Sequence, residues 1–213
     1  MFLDLDHQRR NRQPLDPFHS ASKNATDEKT ELSELNDVYI SFNLAEDCKN
    51  IFDKFISMIP ARFVNKTYKA EDLHCTMVHS KKIGFKDGDF RYMNFHQTCG
   101  CVAYVKTLEI FGKDDSKRFL VATLDSPDLE AYNAYLANKF GLVSDFHSYR
   151  PHISLAQLPP VDGKGDVETS TLNYFLSLAS KAGLNLGGMK VTLEQGKAKP
   201  IDENWNAKTK SSK

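Results

Sequence analysis

Apolar and polar residues alternate cleanly from Val38 to Leu44, which predicts a β-strand. Val38, Ile40, Phe42 and Leu44 share its core face, and Tyr39, Ser41 and Asn43 share the other. From Glu46 to Ile59 the apolar period becomes helical, through Cys48, Ile51, Phe52, Phe55, Ile56 and Ile59, and it stops before Pro60. A second strand is predicted from Leu73 to His79. Further on, Cys101 to Phe111 and Arg118 to Asp125 read as a hairpin joined through Gly112-Lys113-Asp114-Asp115. A helix from Asp128 to Phe140 is closed by Gly141 as C-cap. A strand from Pro151 to Gln157, a helix from Thr169 to Ala182 and a strand from Met189 to Gln195 follow. Strand, helix, strand therefore occurs twice, the pattern of a pseudo-two-fold α+β fold. The Phe85 to Gln97 stretch reads as an irregular insertion.

Composition narrows the picture. The polar first 35 residues read as a flexible arm, residues 36–207 as one domain, and 208–213 as a frayed tail. The chain of 213 residues, with 40% hydrophobic content and 14 Phe, can bury a good core. Its 28 basic and 28 acidic side chains cancel, so no broad positive field exists to hold a nucleic-acid duplex. A small phosphate-bearing ligand in a local pocket suits that balance better. The apolar runs fall far short of the ~20 residues that span a bilayer. The start lacks the basic and apolar regions of a signal peptide. The four cysteines form no paired metal motif, since Cys99-Gly100-Cys101 lacks the Cys-x-x-Cys spacing, so free thiols in a reducing cytoplasm are expected. His79 lies five positions after His74, which predicts the opposite strand face and no shared metal.

Two of the predicted strands carry one motif, 78 positions apart: Leu73-His74-Cys75-Thr76-Met77 and Pro151-His152-Ile153-Ser154-Leu155. By strand parity His74 and Thr76 share a face, as do His152 and Ser154, while Cys75, Met77, Ile153 and Leu155 turn to the core. Brought together, two imidazoles and two hydroxyls suit a phosphodiester. One His removes a proton from the attacking oxygen and the other protonates the leaving oxygen. The hydroxyls of Thr76 and Ser154 donate to the non-bridging oxygens. Which His takes which role is not legible in so symmetric a pair.

On these two His-x-Thr/Ser motifs, and on the context Ser148-Tyr149-Arg150-Pro151-His152-Ile153-Ser154-Leu155, the chain resembles the 2H phosphoesterases. Within that superfamily it is most similar to the phage anti-CBASS phosphodiesterases. The resemblance implies a bilobal fold in which antiparallel sheets line a central cleft and helices lie outside. It also implies a cofactor-free, metal-independent phosphodiesterase that cleaves 3′-5′ bonds of cyclic di- or trinucleotide immune messengers in the cytoplasm of an infected bacterium. A 2′,3′-cyclic phosphodiesterase or RNA-end exonuclease stands as the alternative enzyme, and a non-catalytic nucleotide-binding protein as the alternative of another class. Ring size, bases and oligomeric state are not legible.

Four residues are candidates to hold the nucleotide. Tyr39 lies on the non-core face of the first strand and offers a ring for base stacking, worth about 1–3 kcal/mol. Phe111 ends a hairpin strand beside Gly112 and offers a second ring, with a core role as the competing reading. Arg150 precedes the second motif and would meet phosphate or else position its loop. Glu194 shares a face with Lys190 and Thr192, opposite Met189, Val191 and Leu193. By strand order the resemblance gives Glu194 the role of accepting from an exocyclic amino group.

Overall fold

Among the described residues every strand pair is antiparallel, and the pairing joins the two predicted halves into one sheet. The computed structural model describes residues 36–85, 89, 100–112, 117–143, 148–160 and 165–201. The predicted arm, most of the 85–97 insertion and the tail lie outside the described residues. In chain order the elements are β1 (Asn36–Leu44), α1 (Glu46–Ser57), β2 (Lys66–Thr67), β3 (His74–Phe85), β4 (Cys101–Phe111) and β5 (Arg118–Asp125). They continue with α2 (Pro127–Phe140), β6 (His152–Leu158), α3 (Gly165–Ala182) and β7 (Lys190–Pro200). The class is α+β, as the sequence predicts.

The sheet runs β2-β6-β3-β1-β7-β4-β5, and β5 also pairs with β6, so the sheet closes on itself. Two three-stranded halves, β3-β1-β7 and β6-β5-β4, carry the internal symmetry. They meet at β4–β7 and at the single pair Cys75↔Ile153. Fusion at these seams leaves the predicted pair of sheets without free inner edges. On one face Val38, Ile40, Phe42, Cys75, Leu120, Ala122, Ile153 and Leu193 pack in one core with Phe52 and Phe55 of α1, Leu129 and Leu136 of α2, and Phe175 of α3. Local chemistry sets the boundaries. The Ser126 hydroxyl caps α2 by accepting from the Leu129 N–H, and Gly141 ends that helix with φ 64°. Gly112, at φ 110°, turns β4 towards β5 where any Cβ would strike the Lys117 carbonyl.

The symmetry extends to irregularities. Between β1 and β3 the register passes from Ile40↔Val78 to Ser41↔Thr76, leaving Met77 as an extra residue. Between β5 and β6 it passes from Leu120↔Ala156 to Val121↔Ser154, leaving Leu155 extra. Each motif strand thus bulges immediately after its hydroxyl residue, a device that re-aims side chains beside functional sites. One expectation is corrected by this bulge. His79 lies on the same face as His74 and Thr76, packed against Tyr39, because the extra residue reverses strand parity beyond Met77.

Candidate active site

The Cys75↔Ile153 pair is where the two motif strands touch. The residues flanking it are His74 and Thr76 on β3 and His152 and Ser154 on β6, all half-buried on the face opposite the core. The Cys75 thiol, fully buried and pushed up to about 11 by that burial, also accepts from the His152 backbone N–H. Behind it the Tyr149 hydroxyl donates to Met77 Sδ at 3.0 Å. Asn133 Nδ2 of α2 donates to the Met77 carbonyl at 2.6 Å, capping the bulge.

Both imidazoles are held in the same way. His74 Nδ1 lies 2.7 Å from the Asp72 carbonyl, and His152 Nδ1 lies 2.7 Å from the Arg150 carbonyl. A carbonyl only accepts, so each Nδ1 carries the proton and each neutral ring presents a lone pair at Nε2. The residue before each His is buried, and its carbonyl is tied to the adjacent strand, Leu73 to the Leu44 N–H and Pro151 to the Leu124 N–H. Burial lowers both imidazole pKa values. The Lys199 charge pushes His74 further down, and the His74 and Arg150 charges do so at His152, while the two carbonyl hydrogen bonds act in the opposite sense.

The two halves differ at Tyr39. Its hydroxyl lies 2.6 Å from His74 Nε2 and 3.0 Å from Thr76 Oγ1. With Nδ1 protonated, the phenol donates to Nε2 and the Thr76 hydroxyl donates to the phenol. Burial pushes the Tyr39 pKa up to about 12, so the phenol keeps its proton at neutral pH. Register makes Phe119 the symmetry mate of Tyr39: Tyr39 pairs with His79 and Lys199, Phe119 with Gln157 and Phe111. Phe119 has no hydroxyl, and among the described residues nothing hydrogen-bonds His152 Nε2. The pair is symmetric in backbone and asymmetric in proton chemistry.

The predicted ligand residues fare differently. Tyr39 reaches the motif face, but it is only 6% exposed and Lys199 Nζ sits over its ring at 5.3 Å. The expectation of an open stacking platform is therefore corrected: the ring is covered and the hydroxyl serves His74. Phe111 packs against His152 with ring centroids 4.8 Å apart. Arg150 lies over Phe111 at 4.6 Å and bonds Glu109 at 2.5 Å, so its charge is committed to a carboxylate. Glu194 is exposed in a cross-strand row with Asn43 and His74, two strands from the imidazole. Sequence reasoning missed Asn133 and the hydroxyl role of Tyr39, because a strand pattern gives a face and not the partner on the neighbouring strand, and nothing local ties a helical Asn to a distant carbonyl. Among the described residues no group of three or more His, Cys, Asp or Glu is arranged to hold a metal. No described helix is long and apolar enough to cross a membrane. A cavity of about 690 Å³ lies away from the imidazoles, between α1 and residues 61–71, and neither motif lines it.

An α+β fold with one His-x-Thr/Ser strand in each half meets the description of the two-histidine superfamily. The family model described as anti-CBASS protein Acb1 matches residues 36–208, and the chain belongs to that family. Over 49 residues it is 49% identical to the anti-CBASS protein Acb1 of Acinetobacter phage Ac42, a match spanning 23% of this chain and 31% of that protein. Among solved structures it is similar to Usb1 of Kluyveromyces marxianus, with TM-score 0.49 and 18% identity, covering 78% of this chain and 94% of the other. It is also similar to E. coli LigT complexed with 3′-AMP, with TM-score 0.47 and 11% identity, covering 79% and 97%.

Proposed function

We propose that this protein is a metal-independent phosphodiesterase that opens cyclic oligonucleotide messengers at 3′-5′ bonds and so counters CBASS defence. One observation carries the chemistry: two imidazoles, each fixed through Nδ1 with Nε2 as the reactive atom, meet beside two hydroxyls at a single strand pair. Membership of the anti-CBASS family supports the choice of substrate.

In this reading the ribose 2′-hydroxyl attacks phosphorus. One imidazole takes its proton as the new P–O2′ bond forms. The other, charged at the outset, gives its proton to the departing 5′-oxygen as the P–O5′ bond breaks. The product is a linear strand with a 2′,3′-cyclic phosphate and a 5′-hydroxyl. The imidazoles have then exchanged protonation states, which suits them to direct water onto the cyclic phosphate in reverse. Ser154 donates to a non-bridging oxygen, and Thr76 does the same once the substrate draws its single proton away from the Tyr39 oxygen.

Cyclic di- and trinucleotides and a 2′,3′-cyclic mononucleotide, incubated in parallel with EDTA, test the reading. Opening of the cyclic oligonucleotides is expected. Turnover of the mononucleotide alone would favour a cyclic-end phosphodiesterase, and binding of all three without cleavage would favour a nucleotide-binding module.

A further inference from the structure

A single strand pair, Cys75↔Ile153, joins the two motif strands, so the spacing of the imidazoles depends on how firmly that seam is held. The bulge after each hydroxyl residue needs an anchor for the carbonyl of its extra residue. In the second half the anchor is backbone: the Tyr68 N–H donates to the Leu155 carbonyl at 3.0 Å. In the first half it is a side chain contributed by the other half, Asn133, on the Met77 carbonyl. The same Met77 is gripped a second time, at its sulfur, by the Tyr149 hydroxyl at 3.0 Å. Tyr149 stands three positions before His152, and the proposed chemistry gives it no part.

Hydrogen-bond capacity orders this contact into a directed chain. A thioether sulfur has no hydrogen to give, so Met77 Sδ only accepts, and the one proton of the phenol goes to it. The Tyr149 oxygen is left as an acceptor, and the Cys75 thiol lies 3.7 Å from it, nearer than the thiol lies to the Thr76 carbonyl at 3.9 Å. The thiol sulfur in turn accepts from the His152 backbone N–H. The chain therefore runs from the His152 N–H through Cys75 and Tyr149 to Met77. It begins at the second motif and ends at the bulge of the first. Ile153 and Leu155, the symmetry mates of Cys75 and Met77, carry no polar side-chain atom, so the second half cannot repeat it.

We propose that Tyr149 is a positioning residue, whose hydroxyl fixes residues 149–152 against the Met77 bulge and so sets the orientation of His152 relative to His74. The link to the ring passes through Arg150, whose carbonyl accepts from His152 Nδ1. On the far side the Pro151 carbonyl is held by the Leu124 N–H, so the segment is pinned at both ends. The inference deepens the phosphodiesterase reading and, as far as rate is concerned, rests on it. Attack and departure on opposite sides of one phosphorus need both imidazoles in place at once. A small displacement of one ring therefore lowers kcat without weakening the grip on substrate.

Tyr149→Phe keeps the ring and removes the hydroxyl. On a cyclic dinucleotide kcat should fall about tenfold, with KM within about twofold of the wild type. The two imidazoles should respond unequally in a histidine NMR titration. Loosening the Arg150 carbonyl weakens a bond that favours the charged ring, so His152 should titrate at lower pH and His74 should stay where it is. The charged groups acting on His152, Arg150 with its Glu109 partner and His74 across the seam, are unchanged by the substitution. Met77→Leu removes the acceptor at the opposite end and should reproduce both effects, and the double variant should be no worse than the worse single one. A lowered Tm with kcat and the His152 titration unchanged would overturn the proposal. Equal shifts at both imidazoles, or fully additive losses in the double variant, would overturn it too. A wild type that cleaves no cyclic nucleotide, yet whose His152 moves in Tyr149→Phe and Met77→Leu, would sink the phosphodiesterase reading and leave the positioning role standing.

Discussion

Replacing Tyr39 by Phe makes the first half of the site chemically like the second, because Phe119 already occupies the equivalent position. The ring volume is kept and only the hydroxyl is lost, so the effects trace to the contacts of that hydroxyl, 2.6 Å to His74 Nε2 and 3.0 Å to Thr76 Oγ1 together with the Ser41 side chain. Removing the donor leaves the Nε2 lone pair of a half-buried imidazole unsatisfied, at a cost of about 1–2 kcal/mol. For a domain of this size that lowers Tm by roughly 2–8 °C. The phenol donates to the neutral form of His74, so its loss destabilises that form and raises the His74 pKa. NMR titration of ¹⁵N-histidine-labelled protein separates the two imidazoles. His74 should titrate at higher pH in the variant, His152 should move little, and the limb of the pH–rate profile set by His74 should follow. An unchanged or lowered His74 titration together with an unchanged Tm would refute the assignment of the phenol as a donor to Nε2.

Two further outcomes follow from the same geometry. Asn133→Ala removes the donor to the Met77 carbonyl at the bulge, so it should cost about 1–3 kcal/mol in denaturant unfolding. It should also lower kcat more than it raises KM, because it loosens β3 rather than a ligand contact. Stability should fall on acidification. Burial lowers both imidazole pKa values in the folded state, so the unfolded chain takes up protons first as pH drops below about 6.5. That stabilisation is present above the unfolded pKa and is lost as pH falls through the folded values. Unfolding at pH 7.5 and 5.5 should show a smaller loss in His74→Gln/His152→Gln than in the wild type, and equal losses would contradict the sign.

The element order was legible because core faces write themselves as alternation. β4 and β5 match their predicted ends, and Pro127–Phe140 begins one residue before its prediction. β7 was predicted to stop at Gln195 but runs to Pro200. Its register shift near Gly196 breaks the period of two, and the lysines beyond read as a polar tail. His79 was misplaced for the same reason, since one extra residue at Met77 inverts every parity argument beyond it. The paired motifs were legible because both lie before their bulges. The partners of Tyr39 were not, because a strand pattern gives a face but not which hydroxyl on the neighbouring strand comes within hydrogen-bond reach. Asn133 lies on a helix, and nothing local ties a helical Asn to a carbonyl 56 positions away.

The central claim is that His74 and His152 together cleave a phosphodiester without a metal. Turnover of a cyclic dinucleotide, followed by ³¹P NMR with EDTA present, tests it most directly on the wild type, His74→Ala and His152→Ala. The wild type should open the ring at full rate and show a 2′,3′-cyclic phosphate resonance before the terminal phosphate. Each variant should lose about 10²–10⁴-fold in rate while keeping its fold. Near-normal turnover in either variant, or wild-type activity lost to EDTA and restored by zinc or manganese, would contradict it.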